Sequence, residues 1–96
     1  MGKPVIRKGP DMTMGHSPCF PPVPAIQGSN NVFVNGLPAV RTGDKYKLHC
    51  CNGSCHVPTA TGSSKVFVNK RGVTRMGDKT TCGDTSMGGS SNVGAG

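Results

Sequence analysis

The 96-residue chain is 33% hydrophobic, has no tryptophan, and carries 15 glycines and 8 prolines. So short and apolar-poor a chain cannot stand on hydrophobic burial alone, and it calls for a staple: a metal, disulfides or a partner. Its formal charge of +7 combines 11 basic with 4 acidic residues, which leaves nucleic acid, an anionic membrane or an acidic protein face as electrostatic partners. The basic residues are scattered singly, with Arg7-Lys8 and Lys70-Arg71 the only adjacent pairs, so most of them read as solvated surface. No stretch longer than nine residues escapes glycine and proline, which leaves no place for a helix of average length. No apolar run of about 20 residues exists to span a membrane as a helix. The N-terminus MGKPVIRKGP lacks the apolar region of a signal peptide, so export without a cleaved signal is expected.

From the N-terminus, Pro4-Val5-Ile6-Arg7-Lys8-Gly9 is the first of several related segments. A loop from Asp11 to Pro22 follows and holds His16 and Cys19. Residues 28–45, GSNNVFVNGLPAVRTGDK, then align without a gap on residues 62–79, GSSKVFVNKRGVTRMGDK, at an offset of 34, with ten identities in eighteen positions. The same offset places Pro4–Gly9 on Pro38–Gly43, with Pro10 inserted before Asp11. At the other end, GSSNVGAG (residues 89–96) is a third copy of the GSxxV segment. Three PxxRxGD and three GSxxV units thus form a circular arrangement, with repeats of about 1–27, 28–61 and 62–96 in a single domain of 1–96.

Val-Phe-Val-Asn is a strand signal, β-branched and aromatic residues before a turn former. A strand over Asn31–Asn35, a turn at Gly36-Leu37-Pro38 and a returning strand at Val40–Thr42 are predicted, giving an all-β hairpin in each unit. Either Val32, Val34, Val66 and Val68, or Phe33 and Phe67, should face the interior, since alternation forbids both sets on one side. The repeated aspartates read as turn formers, and Arg41 and Arg75 as their partners or as ties to carbonyls between units.

Every cysteine and histidine follows one of the Gly-Asp turns or, after Asp11, the Pro10 insertion. The second loop, Asp44 to Pro58, holds His49, Cys50, Cys51, Cys55 and His56, and the third holds Cys82. His16 and His49 each lie five residues after their aspartate and Cys82 four after Asp78. On a pseudo-threefold axis these three converge, and with His56 they make a His3Cys set suited to tetrahedral Zn²⁺. Five cysteines are odd, so disulfides among Cys19, Cys51 and Cys55 would leave a free thiol, with the Cys50-Cys51 pair crowding the choice. Ligand sets in which Cys19, Cys51 or Cys55 replaces a histidine stay open. No carboxylate pair, nucleophile constellation or phosphate loop is present, so the chain reads as no enzyme. The alternative function is a free-standing basic zinc-binding module on nucleic acid, which lacks stacking aromatics.

The motif Pro38-Ala39-Val40-Arg41, its copy Pro4-Val5-Ile6-Arg7, the degraded Gly72-Val73-Thr74-Arg75 and the surrounding frame resemble the PAAR-repeat proteins over essentially the whole chain. The segment GHSPCFPP (residues 15–22) is similar to one of their subgroups. The resemblance implies a small cone whose tip is pinned by structural zinc through His16, His49, His56 and Cys82. It implies a cap for a homotrimeric β-helical spike, VgrG-like or of a phage tail, in a type VI secretion system or contractile tail, one cap per trimer. Contact would run through the strands around Val32, Val34, Val66, Val68 and Val93. Assembly would take place in the bacterial cytoplasm, with delivery at the spike tip, transient contact with a target membrane and no nucleic acid. With the chain ending at the third GSxxV unit, an effector would have to bind separately. The additional cysteines at 19, 50, 51 and 55 depart from the commonest pattern of the family.

Overall fold

The computed structural model describes residues 2–96, and these contain strands, bridges and turns but no helix. In the first hairpin, β3 (Phe33–Val34) pairs with β4 (Leu37–Pro38), Phe33 opposite Pro38 and Val34 opposite Leu37. Its turn is Asn35-Gly36, with φ of 54° and 79°. Two left-handed residues in succession match the twist of a two-residue hairpin, and Asn-Gly tolerates them best. The turn therefore falls one residue earlier than the sequence suggests, and the returning strand is Leu37–Pro38 instead of Val40–Thr42. The second hairpin repeats this register: β7 (Phe67–Val68) on β8 (Arg71–Gly72), around Asn69-Lys70. Gly72 stands where the other units have proline, because a Cβ there would run into the Ser63 carbonyl. The third hairpin is split between the two ends of the chain: β10 (Gly94–Ala95) pairs with β1 (Lys3–Pro4), Pro4 opposite Gly94.

The strands are too short for full alternation. Val34 faces the interior and Val68 is half-buried, while Val32, Val66 and both phenylalanines stay exposed. Val34, Val68 and Ala95 are repeat equivalents, and they pack with Val5, Ala39 and Val73 as one threefold layer. Beneath it lies a layer of fully buried Ile6, Val40 and Thr74. Their backbones close a ring: Ile6 N–H donates to Thr74 at 3.0 Å, Thr74 to Val40 at 2.9 Å, and Val40 to Ile6 at 3.0 Å. A second ring-like set binds the GSxxV segments, as Ser29, Ser63 and Ser90 N–H donate to the Ala39, Val73 and Val5 carbonyls. Each serine Oγ accepts from the N–H three residues on, Val32, Val66 and Val93, all at 2.9 Å. Three short segments thereby satisfy buried backbone groups that their two-residue strands cannot.

The Arg–Asp pairs complete each unit. Arg7–Asp11, Arg41–Asp44 and Arg75–Asp78 are bidentate, and in each the arginine's own N–H also donates to the carboxylate. The Pro10 insertion is absorbed in the turn without disturbing the first pair. Burial alone would raise the Asp11 pKa. The Arg7 side chain and the Gly89 and Arg7 N–H groups outweigh it and hold the carboxyl below its usual range. Arg41 and Arg75 thus pair with their aspartates as predicted; Arg41 also donates to the Gly28 carbonyl within its own unit, and a tie to a carbonyl of another unit is made by Arg7, on Gly89.

Toward the other end, Ile6 and Val40 pack with Val23, Ala25, Tyr46 and Ala60. The Tyr46 hydroxyl meets Ser86 Oγ at 2.6 Å, and burial pushes its pKa up to about 12. β2 (Met12–Thr13) pairs with β9 (Ser86–Met87) there. The body measures 38 × 25 × 21 Å, a small all-β cone longer than it is wide.

Thr74 breaks the threefold layer chemically, since its Oγ1 is buried without a partner where its equivalents are isoleucine and valine. Thr74→Val keeps the shape and removes a desolvated hydroxyl, so it should stabilise the fold by about 1 kcal/mol, or roughly 4–8 °C in Tm. Thermal denaturation of the two proteins checks this, and a lower Tm in the variant contradicts it.

Candidate metal centre

The second loop forms its own hairpin. β5 (His49–Cys51) and β6 (Ser54–His56) pair with His49 opposite His56, Cys50 opposite Cys55 and Cys51 opposite Ser54. An Asn-Gly turn closes it, Asn52 at φ 49° and Gly53 at 84°. Because side chains alternate along a strand, each rung has one task. The middle rung is a disulfide, Cys50–Cys55, and the rung beside it brings the two histidines together. Cys51, on the histidine face, forms a second disulfide with Cys19 of the first loop. The adjacency of Cys50 and Cys51 therefore causes no crowding, since the two point to opposite faces.

His16 comes from a tight bridge in the first loop, where the His16 and Phe20 N–H groups donate to each other's carbonyls at 3.0 and 2.9 Å. The peptide between Ser17 and Pro18 inside it is cis. Cys82 sits in a turn closed by Gly83 N–H on the Thr80 carbonyl, with Thr80 Oγ1 at 3.3 Å from its sulfur.

The structure brings His16, His49, His56 and Cys82 together, their donor atoms all within 4.8 Å of one another. His16 Nε2 lies 3.0 Å and His49 Nε2 2.7 Å from His56 Nε2. His16 Nδ1 faces the Ser17 carbonyl and His49 Nδ1 the Pro21 carbonyl, each at 2.9 Å. A carbonyl accepts only, so both Nδ1 atoms carry the proton and both Nε2 lone pairs point into the cluster. Desolvation, then the neighbouring His49 and His16, push the His56 pKa below its ordinary value, which favours the neutral, coordinating form. Cys82 is the one free cysteine. Three imidazoles and a thiol converging on a single point fit a metal ion of the borderline class, and they leave no fifth side chain to supply. The group can hold a metal ion.

Cys19, Cys51 and Cys55, the alternative ligands, are not in the cluster, because their sulfurs are engaged in the two disulfides. Phe20 is the neighbour that the repeat does not reveal. Its ring stacks on His16 at 4.6 Å and on His56 at 4.3 Å between centroids, and is tilted against His49 at 4.8 Å. The His16–Phe20 bridge places it there, a pairing that no repeat in the sequence signals. Asp84 is buried beside this region, with one carboxylate oxygen accepting from Thr85 N–H at 2.7 Å and the other unpaired.

His16→Ala and Cys82→Ala should each lower metal content and Tm together, measured by elemental analysis and calorimetry on protein purified alike. Full metal content in both variants would remove them as ligands. Phe20→Ala should leave the metal stoichiometry unchanged and weaken affinity by about tenfold, as loss of a supporting neighbour does at metal sites. Competition with a chromophoric chelator measures the difference, and an unchanged affinity would show that the ring is only packing.

A family model described as PAAR motif matches residues 26–88, well over half of the chain. Comparison with the curated proteins finds no match. The matched span holds two of the three Arg–Asp units and three of the four clustered residues, and the fold extends the same pattern to both ends. The chain belongs to the PAAR-motif family.

Proposed function

We propose that the protein caps and sharpens a trimeric, membrane-puncturing β-helical spike of a type VI secretion system or contractile phage tail, with a structural Zn²⁺ at its tip. Membership of the PAAR family supports a spike-tip function of this kind in general. The observation that carries the finer reading is the closed ring of Ile6, Val40 and Thr74. A single chain built on that ring repeats one surface three times, which is what docking one cap on a threefold trimer requires.

The end bearing the hairpins is the proposed docking base. Val32, Val66 and Val93 are 36–39% exposed there, and Phe33 and Phe67 are more than half exposed. Apolar side chains left in water in a repeated arrangement favour an interface. Edge strands of the spike would extend the hairpins and cover their free backbone groups. Val34 and Val68 act from behind, by holding each hairpin on the core.

At the opposite end the role is mechanical, not catalytic. His16, His49, His56 and Cys82 would hold the ion, and a bound Zn²⁺ supplies a cross-link among three loops where few side chains can pack. The two disulfides tie the first loop to the second and close the second upon itself. Cap and spike would assemble in the bacterial cytoplasm and meet the target membrane briefly.

Mixed with a trimeric β-helical spike from the same source, the protein should form a complex of one cap per trimer, read by native mass spectrometry. Phe33→Ser combined with Phe67→Ser should weaken that complex by at least about tenfold with the metal retained. Three caps per trimer, or no complex with the metal-loaded protein, would overturn the reading.

A further inference from the structure

The repeat equivalences make the three flanks of the cone comparable, and they differ in charge. Lys8, Thr42 and Met76 are matched positions, since their N–H groups donate to the Pro38, Gly72 and Pro4 carbonyls respectively. On one flank the repeat places Lys8, Lys45 and Arg71. On the next the equivalents are Thr42, Lys79 and Lys3, and on the last Met76, Met12 and Leu37. Cationic side chains at these positions therefore run three, two and none around a body whose interior is nearly threefold.

The first flank also carries a recess. An open cleft of about 530 Å³ is lined by Lys8, Ile26, Gln27, Lys45 and Arg71, with the Arg41–Asp44 pair as its floor. Asp44 is saturated: Arg41 binds both of its oxygens, and Arg71 Nη1 reaches Oδ1 at 3.2 Å. Its single negative charge faces two guanidinium groups, and Lys8 and Lys45 add two more cations. The Arg71 side chain is 49% exposed, so the contact with Asp44 orients its guanidinium while leaving N–H groups open to the cleft.

We infer that this cleft is a binding site for an acidic peptide segment of a separate protein, engaged one to one. Carboxylates suit the lysine ammonium groups and the open side of the Arg71 fork, and exposed Ile26 gives an apolar neighbour for the stem of a glutamate. No aromatic side chain lines the cleft, so bases of a nucleic acid would find nothing to stack on. A threefold partner would meet three unlike flanks here, so the surface fits a monomeric partner that reads one flank only. The inference does not depend on spike docking: Arg71 of β8 borders the hairpin end, while Lys8, Ile26, Gln27 and Lys45 lie outside the hairpins.

The test uses the metal-loaded protein and a fluorescein-labelled hexaglutamate peptide at low salt, with fluorescence anisotropy and amide chemical shifts as readouts. One peptide should bind per protein, with shifts concentrated at Ile26, Gln27, Gly43 and Lys45. The variant K8Q/K45Q/R71Q should bind at least about tenfold more weakly, the loss expected from removing charge-assisted bonds. A variant with the same charge loss elsewhere, K3Q/K70Q/K79Q, should bind like the parent, and both should keep the parent Tm within a few degrees. Equal weakening in the two variants, scattered shifts or no binding would overturn the site. So would tighter binding in the cleft of a single-stranded oligonucleotide of equal charge.

Discussion

Everything in this fold depends on three backbone hydrogen bonds that close Ile6, Val40 and Thr74 into a ring. Each strand of the body is only two or three residues long, far below what an isolated hairpin needs to persist in water. The ring turns three such fragments into neighbours of one another, so that each buries what the next exposes. The serine N–H set, the serine Oγ turns and the Arg–Asp pairs are repeated around the same axis and satisfy the polar groups that burial would otherwise orphan. A glycine- and proline-rich chain gains order here through repeated hydrogen-bond closure, with valines and alanines filling the small space left inside.

The ring also explains why chemistry collects at one end. It fixes the starting points of three loops around one axis, and loops that start together can end together. His16, His49 and Cys82 occupy related positions after their turns, and the β5–β6 hairpin of the second loop adds His56 by pairing it directly with His49. At that end the apolar core has run out, because Tyr46 and its neighbours fill the last packed layer. Order beyond it rests on the two disulfides, the aromatic stack on Phe20 and the convergent His3Cys cluster. These act in different places: one disulfide links loops, the other closes a hairpin, and the cluster draws one or two side chains from each of the three loops.

Much of this was legible because it repeats. The offset of 34 residues exposed the units, the split third hairpin and the register that brings His16, His49 and Cys82 together. The hairpin turn falls one residue earlier than Leu-Pro suggests, because the left-handed pair Asn35-Gly36 makes a tighter one. The cysteines were harder. Period alone does not say that Cys50 and Cys51 face opposite ways until the loop is known to be a strand, and only then do their two partners become evident. Phe20 and buried Asp84 follow no repeat, so nothing in the sequence marked them as neighbours of the cluster.

A protein that repeats itself three times can still be asymmetric where it matters. The interior tolerates little variation, because each inward position meets its own equivalents across the axis. Thr74 among Ile6 and Val40 is about as large a departure as that layer contains. Outward positions carry no such constraint. Gly94 stands where the other hairpins place Phe33 and Phe67, and Lys8, Thr42 and Met76 share one backbone environment with three different chemistries. A threefold partner draws on what the units share, the backbone of the hairpins and the valines beside them, with Phe33 and Phe67 adding apolar area on two of the three. A partner bound in one copy can use what they do not share. The two proposed partners therefore make different demands on the chain, one on the symmetry of the core and the other on the individuality of the flanks.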